Sequence, residues 1–359
     1  MKLAYYITAH GYGHAARSCD ILRALHEQSP ETPIYVIADL PEDFFTTRLP
    51  SGSWRFRRAQ FDIGMVQLDS IRVDVPATLK KCEELLVHTP KLLEEEKRFL
   101  VQNKISAVVC DIPAIPLRAA HACGIPAIAA GNFAWDWIYE EFLPDNSAWQ
   151  PVVDHFRTGY SESDLLLRYP FAEPMAAFPN HIDIGVPARA GKNRRSELAR
   201  MSGADSRKRW VLLSFTTLDW DDAALHRVRA LNEWEFFTVE PLGWHGPNFH
   251  AIDRRKISYS DVLASCDVVL TKPGFGVLSE CAVNDKPMIY VERTAFREYP
   301  ILEAAVKRYF RNVHLPAEKL YCGDLRAALE AIENAWAPNE HIVSGGDLHA
   351  AHLILERSR

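Results

Sequence analysis

The chain has 359 residues, 48% of them hydrophobic and 25% charged, with a formal net charge of -6 at pH 7. That length exceeds what one ordinary core serves and points to about two soluble α/β domains, while the negative balance excludes a broad nucleic-acid-binding surface, which needs clustered Lys and Arg. Seven cysteines without paired metal-ligand spacing, in a chain with no secretion signal, read as reduced thiols of a cytoplasmic protein, and no apolar run approaches the ~20 residues that cross a bilayer, which leaves at most peripheral membrane contact.

Short apolar runs alternate with helical patterns along the chain, the order expected of parallel sheets with crossover helices. Residues 3 to 8 form the first buried strand and pass directly into His10-Gly11-Tyr12-Gly13-His14. A glycine turn between strand and helix is anion-receptive, because first-turn N–H groups lack intrahelical partners and the helix dipole is positive there. The stretch from Gly11 to Ala16 also fits a dinucleotide fingerprint, and Asp39 ends the next strand, 33 to 39, where a ribose-binding acid would sit. An NAD-dependent oxidoreductase is therefore a competing reading. His10 is placed to project from the strand end at the carboxyl edge of the sheet, and an imidazole, with a pKa of ~6.5, can take a proton from a hydroxyl nucleophile. It is the expected general base. His14, one turn into the helix, is expected to contact an anion, and Arg17 and Ser18 behind it are within reach of phosphate. No third ligand follows the two histidines at a telling spacing, so no metal site is expected.

An amphipathic scaffold helix spans 79 to 101, followed by strands at 107 to 112 and 127 to 131. Asp111 ends the first of these at the cleft edge. The block from Asn132 to Tyr139 combines Trp135, Trp137 and Asp136; aromatic faces suit a sugar ring or an apolar acceptor, and a carboxylate can orient a hydroxyl, although helix-to-sheet packing accounts for the tryptophans equally well. A poorly periodic stretch, 186 to 209, marks the domain boundary, giving domains 1–190 and 191–340 and a C-terminal helix at 341–359 that is a candidate to pack back on the first domain. Strands resume at 210 to 215, 235 to 240, 267 to 271 and 288 to 292. Asp219-Trp220-Asp221 spells the D-x-D triplet of metal-dependent transferases but reads as a helix cap.

The second glycine turn, Lys272-Pro273-Gly274-Phe275-Gly276 with Ser279 and Glu280 behind it, follows a buried strand and opens a helix. Its backbone can hold phosphate and Glu280 can accept both hydroxyls of a ribose, though a first-turn acid favourable to the helix dipole is the plain alternative.

These blocks, with Arg293, Phe296 and Glu298, occur in the order found in the GT-B glycosyltransferases. The chain resembles especially the branch containing the lipid II-forming N-acetylglucosaminyltransferase (family 28) and the N-terminal domain of plant L-arabinokinase. The resemblance implies two Rossmann-like doubly wound α/β domains facing a central cleft. It further implies inverting, metal-independent transfer of a sugar from a nucleoside diphosphate sugar, UDP-linked sugars being the first to consider, to a hydroxyl acceptor, with no cofactor. Glu280 would hold the ribose; Gly11, Gly13, His14, Ser214, Thr216, Lys272, Gly274, Phe275, Gly276 and Ser279 would line the donor; Arg293 would compensate phosphate charge and Glu298 hold donor-sugar hydroxyls. Asn132, Trp135 and Trp137 would meet the acceptor, with Asp111 and Asp136 as rivals or orienters of His10. The galactokinase-like half of arabinokinase does not follow Arg359, so sugar phosphorylation is not expected. A nucleotide-sugar-binding module without transfer, or a nucleotide-sugar epimerase or hydrolase, are the alternatives.

Overall fold

The computed structural model describes residues 1–52, 54–68, 71–239, 244, 246–294 and 296–358. They divide into two compact units, the first comprising Met1–Val66, Asp74–Ala188 and Val343–Arg359, the second Gln67–Val73 and Arg189–Ile342. Residue 359, assigned above to the terminal helix, and residue 240, assigned to a strand, lie outside the described residues. No helix among the described residues is long and apolar enough to cross a membrane.

In unit 1 the chain runs through β1 (Leu3–Ile7), α1 (Tyr12–Gln28), β2 (Ile34–Ala38), α2 (Glu42–Thr46), β3 (Trp54–Arg58), α3 (Val75–Gln102), β4 (Ala107–Asp111), α4 (Ala114–Ala122), β5 (Ala127–Gly131), α5 (Trp135–Glu140), α6 (Gln150–Ser161), β6 (Leu165–Arg168) and β7 (His181–Asp183). All seven strands pair in parallel in the order β3-β2-β1-β4-β5-β6-β7. Strands β1, β4 and β5 are buried along their whole length, which is why they read as unbroken apolar runs rather than alternating ones. The outer strand β3 carries Arg55, Arg57 and Arg58 and is only partly buried, so it lacks that signature. Helix α3 begins earlier than its periodicity suggests because the Asp74 side chain caps it, accepting from the Ala77 N–H at 2.9 Å, with Pro76 in the first turn.

Unit 2 repeats the plan with α7 (Arg195–Ser202), β8 (Arg209–Ser214), α8 (Asp222–Arg229), β9 (Trp234–Thr238), β10 (Phe249–Ala251), α9 (Tyr259–Ser265), β11 (Val268–Thr271), α10 (Phe275–Val283), β12 (Met288–Tyr290), α11 (Tyr299–Tyr309), β13 (Asn312–His314), α12 (Ala317–Tyr321) and α13 (Arg326–Glu333). Its parallel sheet has the order β10-β9-β8-β11-β12-β13. Val211 and Leu213 of β8, Phe236 of β9 and Leu270 of β11 pack with Val228 of α8 and Leu329 and Ile332 of α13, and Ile71 from the 67–73 excursion is buried in the same cluster.

Both sheets start at an interior strand, wind outward on one side and resume on the other. The direction of winding reverses between β1 and β4 in unit 1 and between β8 and β11 in unit 2, and at such a reversal the carboxyl ends of the strands leave a crevice that receives ligands.

The terminal helix α14 (Gly346–Arg357) belongs to unit 1 and lies against α1, where Gln28 Nε2 donates to the Leu348 carbonyl at 3.0 Å. The returning chain is stitched to the segment after β7: Val186 N–H donates to Val343 O at 2.8 Å and Gly346 N–H to Val186 O at 3.2 Å. A Cβ on Gly346 would fall 1.8 Å from the Gly185 carbonyl oxygen, whereas Gly345, at φ +78°, has open space around it. Gly346→Ala is therefore expected to destabilise unit 1 by about 1–3 kcal/mol through overpacking, and Gly345→Ala by only about 1 kcal/mol through its left-handed backbone. Urea unfolding of the two variants side by side checks the order, which packing at Gly346 requires.

Candidate active site

Gly11, at φ +89° and ψ 160°, turns the chain out of β1 in a conformation that side chains resist, and α1 starts at the next residue. The turn carries His14 into the first turn of α1 and sets Arg17 and Ser18 one turn further along the same face. Asp111 ends β4 and is fully buried. Its carboxylate collects four donors: Arg17 Nε to Oδ2 at 2.7 Å, Arg17 Nη2 to Oδ1 at 2.6 Å, Ser18 Oγ to Oδ2 at 3.0 Å and His14 Nδ1 to Oδ1 at 2.8 Å. Arg17 Nη1 continues to the Asn132 side-chain oxygen at 2.9 Å, and its guanidinium lies 4.8 Å from the centroid of the Tyr169 ring.

Burial alone would raise the Asp111 carboxyl, but Arg17 and His14 hold it well below the usual carboxylate range. An ionised carboxylate only accepts, so the proton of the His14 contact sits on Nδ1. That leaves Nε2 with its lone pair, and it finds no partner among the described residues. Burial and the Arg17 charge push the imidazole below its ordinary value against the opposing pull of Asp111, so the ring is neutral and basic at Nε2 near neutral pH. Ile112, directly after Asp111, has φ +66°, and its carbonyl accepts from the Tyr160 hydroxyl at 2.9 Å.

His10 differs from the expectation of a general base. Its Nδ1 accepts the Met65 backbone N–H at 3.2 Å, so its proton sits on Nε2 and its lone pair is engaged. The ring stands edge-on to Trp135 at 5.1 Å and against Gly64, where a Cβ would come within 2.5 Å of Nδ1. Trp135 is 1% exposed and its indole N–H donates to Asp62 Oδ2 at 2.9 Å, and its stacking on Tyr139 makes it a packing residue rather than an acceptor platform. Asn132 is buried and spent on Arg17. Asp136 is buried 3.6 Å from Arg157 of α6, and no contact among the described residues joins it to His14 or Asp111; Trp137 is half-buried. Arg17 and Ser18 bind Asp111 rather than standing ready for phosphate. Asp39 is held by Arg58 Nε at 2.7 Å, and Asp221 caps α8 by accepting from the Ala224 N–H at 2.8 Å.

At the corresponding reversal in unit 2, Ser214 ends β8 beside Thr271 of β11. The Ser214 and Tyr259 hydroxyls are 2.7 Å apart, and the Thr271 hydroxyl donates to the Ser214 carbonyl at 3.2 Å. Lys272, Pro273 and Gly274 then turn the chain into α10, with Gly274 as the extended N-cap, Lys272 and Gly276 half-buried, and Phe275 buried. Thr216, Gly11 and Gly13 are exposed. Glu280, one turn into α10, is buried and accepts from Ser260 Oγ at 2.9 Å, and the Ser279 hydroxyl is sealed without a partner among the described residues. Arg293, three residues beyond β12, is buried over the Phe296 ring, 3.0 Å from its centroid, with Glu298 Oε1 3.5 Å from Nη1 and its Nε unsatisfied. Burial pushes this guanidinium down to about 10.

Asp62 escaped sequence reasoning because it lies in an irregular segment after β3. It is buried and joins two elements, accepting from the Thr8 hydroxyl at 2.9 Å as well as from Trp135. The grip of Arg17 and Ser18 on Asp111 was legible in principle, since residues three and four beyond His14 share its helix face.

No family model matches the chain. L-arabinokinase of Arabidopsis thaliana is 30% identical over 373 residues that take in 99% of this chain and 34% of that protein, so the chain spans about a third of the length of this curated relative. Among solved structures, a UDP-glucosyltransferase from Polygonum tinctorium capable of glucosylating indoxyl superposes with a TM-score of 0.63 at 12% identity, over 99% of this chain and 98% of that one. The calicheamicin glycosyltransferase CalG4 gives 0.60 at 14%, over 99% and 94%, and the spinosyn rhamnosyltransferase SpnG complexed with thymidine diphosphate gives 0.59 at 12%, over 100% and 96%. The fold is that of the GT-B glycosyltransferases.

Asp62 generates a prediction of its own. Burial pushes its carboxyl up to about 6, so the folded protein holds this proton more tightly than the unfolded chain. Its contribution to stability is present below pH ~4 and is lost as the pH rises through about 6, by an amount on the order of 3 kcal/mol. Asp62→Asn stays neutral throughout, so its stability relative to wild type should grow from pH 4.5 to pH 7.5. Urea midpoints measured at those two values check the sign; a parallel pair of curves refutes it.

Proposed function

We propose that this GT-B chain transfers a glycosyl group from a nucleoside diphosphate sugar to a hydroxyl of an acceptor. The observation that carries the reading is the His14–Asp111 contact at the strand reversal of unit 1, which leaves a neutral imidazole with an open Nε2 lone pair behind a helix N-terminus. Such a group is a general base for a hydroxyl at neutral pH. In the reaction the acceptor oxygen bonds to the anomeric carbon, its proton passes to His14 Nε2, and the bond from that carbon to the phosphate oxygen breaks with its electron pair leaving on the nucleoside diphosphate. A single displacement of this kind inverts the anomeric centre. Asp111 keeps the imidazole in the productive tautomer and stabilises the imidazolium as it forms.

Unit 2 supplies the donor side in this reading. The turn at Lys272 to Gly276 offers first-turn N–H groups of α10 to the diphosphate, and Glu280 takes ribose hydroxyls that exchange with its bond to Ser260. Arg293 is a buried cation with an unsatisfied N–H, and a phosphate oxygen would complete its coordination. Glu298 beside it would take donor-sugar hydroxyls. The arrangement needs neither a cofactor nor a metal, because helix N-termini and arginine supply the charge for the leaving group. GT-B neighbours that include a UDP-glucosyltransferase and a rhamnosyltransferase complexed with thymidine diphosphate support a nucleotide-sugar donor; family 28 membership and a cytoplasmic setting are parts of the same proposal.

Thermal-shift titration against UDP, TDP, GDP, ADP and NAD, repeated on Glu280→Ala, tests the donor side, since a ligand of the native state raises apparent stability by mass action. Stabilisation by a nucleoside diphosphate that the variant loses is expected, and stabilisation by NAD alone would overturn the reading. On the preferred nucleotide sugar, His14→Asn should retain binding and lose sugar transfer by about 10²–10⁴-fold, with His10→Ala less affected. Equal loss from both, or none from His14→Asn, removes His14 from the role.

A further inference from the structure

The motif around His14 holds a residue that the reaction above does not use. Arg17 is 4% exposed and places three of its nitrogens on protein acceptors: two on Asp111, at 2.7 and 2.6 Å, and one on Asn132, at 2.9 Å. The same Nη2 stands 2.9 Å from His14 Nδ1, so two N–H donors converge on one carboxylate oxygen. In a histidine–carboxylate pair standing alone, the anion favours the charged ring and the histidine protonates more readily. Here the anion is already matched by a guanidinium that stays charged at every accessible pH.

We infer that Arg17 is a positioning residue that sets the charge of His14, its two-pronged grip cancelling the carboxylate that would otherwise hold the imidazole protonated. Asp111 then orients Nδ1–H without drawing a second proton onto the ring. The groups facing His14 from each packed element are few. Asp111 comes from β4, Arg17 from α1, His10 from the turn before α1 with ring centroids 6.5 Å apart, and the uncharged Phe133 ring at 5.6 Å from the segment between β5 and α5. Of the fixed charges in that set the only anion is Asp111 and the nearest cation is Arg17, so removing the cation leaves the carboxylate acting on the ring alone. Asn132 and the Tyr169 face hold Arg17 in place from its other side, which makes the grip a property of the folded unit and not of a mobile side chain. The consequence for catalysis rests on His14 being the base, but the charge of His14 is measurable without any turnover.

Histidine C2-hydrogen exchange in D2O across a pH series, read by peptide mass spectrometry, gives the titration midpoint of His14 with the remaining histidines as internal references. In the wild type the midpoint is expected below the ordinary ~6.5, and in Arg17→Met it should rise by about one pH unit or more. A wild-type midpoint at or above 6.5 overturns the inference, as does a depressed midpoint that Arg17→Met leaves in place, because burial alone would then account for it. If Arg17→Met does not fold, Arg17→Lys is read instead: it keeps the charge and must keep the midpoint below 6.5, and a rise to the ordinary value overturns the inference. A wild-type protein that transfers no sugar, but whose His14 midpoint is depressed and rises in Arg17→Met, would instead count against the proposed function and leave the role of Arg17 standing.

Discussion

The ion pair between Arg17 and Asp111 is the interaction on which unit 1 is organised. A carboxylate sealed at the end of a central strand is costly to leave unpaired, and removing one partner of such a buried pair typically costs about 3–5 kcal/mol. Asp111 is instead saturated by Arg17, Ser18 and His14, all from the first two turns of α1. The fork of Arg17 then reaches Asn132 beyond β5. Three segments distant in sequence are thereby pinned at the reversal between β1 and β4. The backbone departs from relaxed geometry at the same place: Ile112, a β-branched residue, has φ +66°, a conformation that costs on the order of 1–3 kcal/mol and persists only where surrounding contacts impose it. The Tyr160 hydroxyl on the Ile112 carbonyl and the complete burial of Ile112 impose it here.

Unit 2 solves the same topological problem with different chemistry. Its reversal is bordered by hydroxyls, Ser214, Tyr259 and Thr271, which satisfy one another and the Ser214 carbonyl. Its buried arginine, Arg293, keeps an unsatisfied Nε. The nearest carboxylate oxygen to Arg293 is 3.5 Å away, and the guanidinium rests on an aromatic face that cannot satisfy its N–H groups. Unit 1 thus encloses a finished network around one open nitrogen, whereas unit 2 holds a cation whose desolvation an anionic ligand would offset. The proposed reaction asks for such a division, since a base must be held still and a leaving-group site must gain from binding.

Much of this was legible in the sequence. The central strands announce themselves as apolar runs because both faces of a parallel sheet are covered, and glycine turns mark where helices begin at the sheet edge. Strands β7, β10 and β13 are three residues long, and β3 alternates arginine with aromatic side chains, so neither length nor periodicity separates them from loops. Sequence spacing also singled out the two histidines of the first turn and the carboxylate at the end of β4, and the structure brings His14 and Asp111 into contact. Spacing could not tell the two rings apart, because which nitrogen carries the proton is decided by partners such as Met65 and Asp111 that lie far off in the chain. Asp62 was invisible for the same reason, since its contacts to Thr8 and Trp135 join segments whose spacing carries no signal.

The two histidines of the first turn show how a single partner decides the tautomer of an imidazole. Both flank the same glycine, and both are within reach of the strand end. His10 points its Nδ1 at a backbone N–H, which can only donate, so the ring must accept there and carry its proton on Nε2. His14 points its Nδ1 at an ionised carboxylate, which can only accept, so the ring must donate there and leave Nε2 bare. The sign of the partner is opposite and the tautomer follows. Only the second ring can take a proton without first breaking a bond it makes to the protein. The partner of His14 is held ionised by Arg17, so the tautomer of one ring in α1 traces to a residue three positions along the same helix.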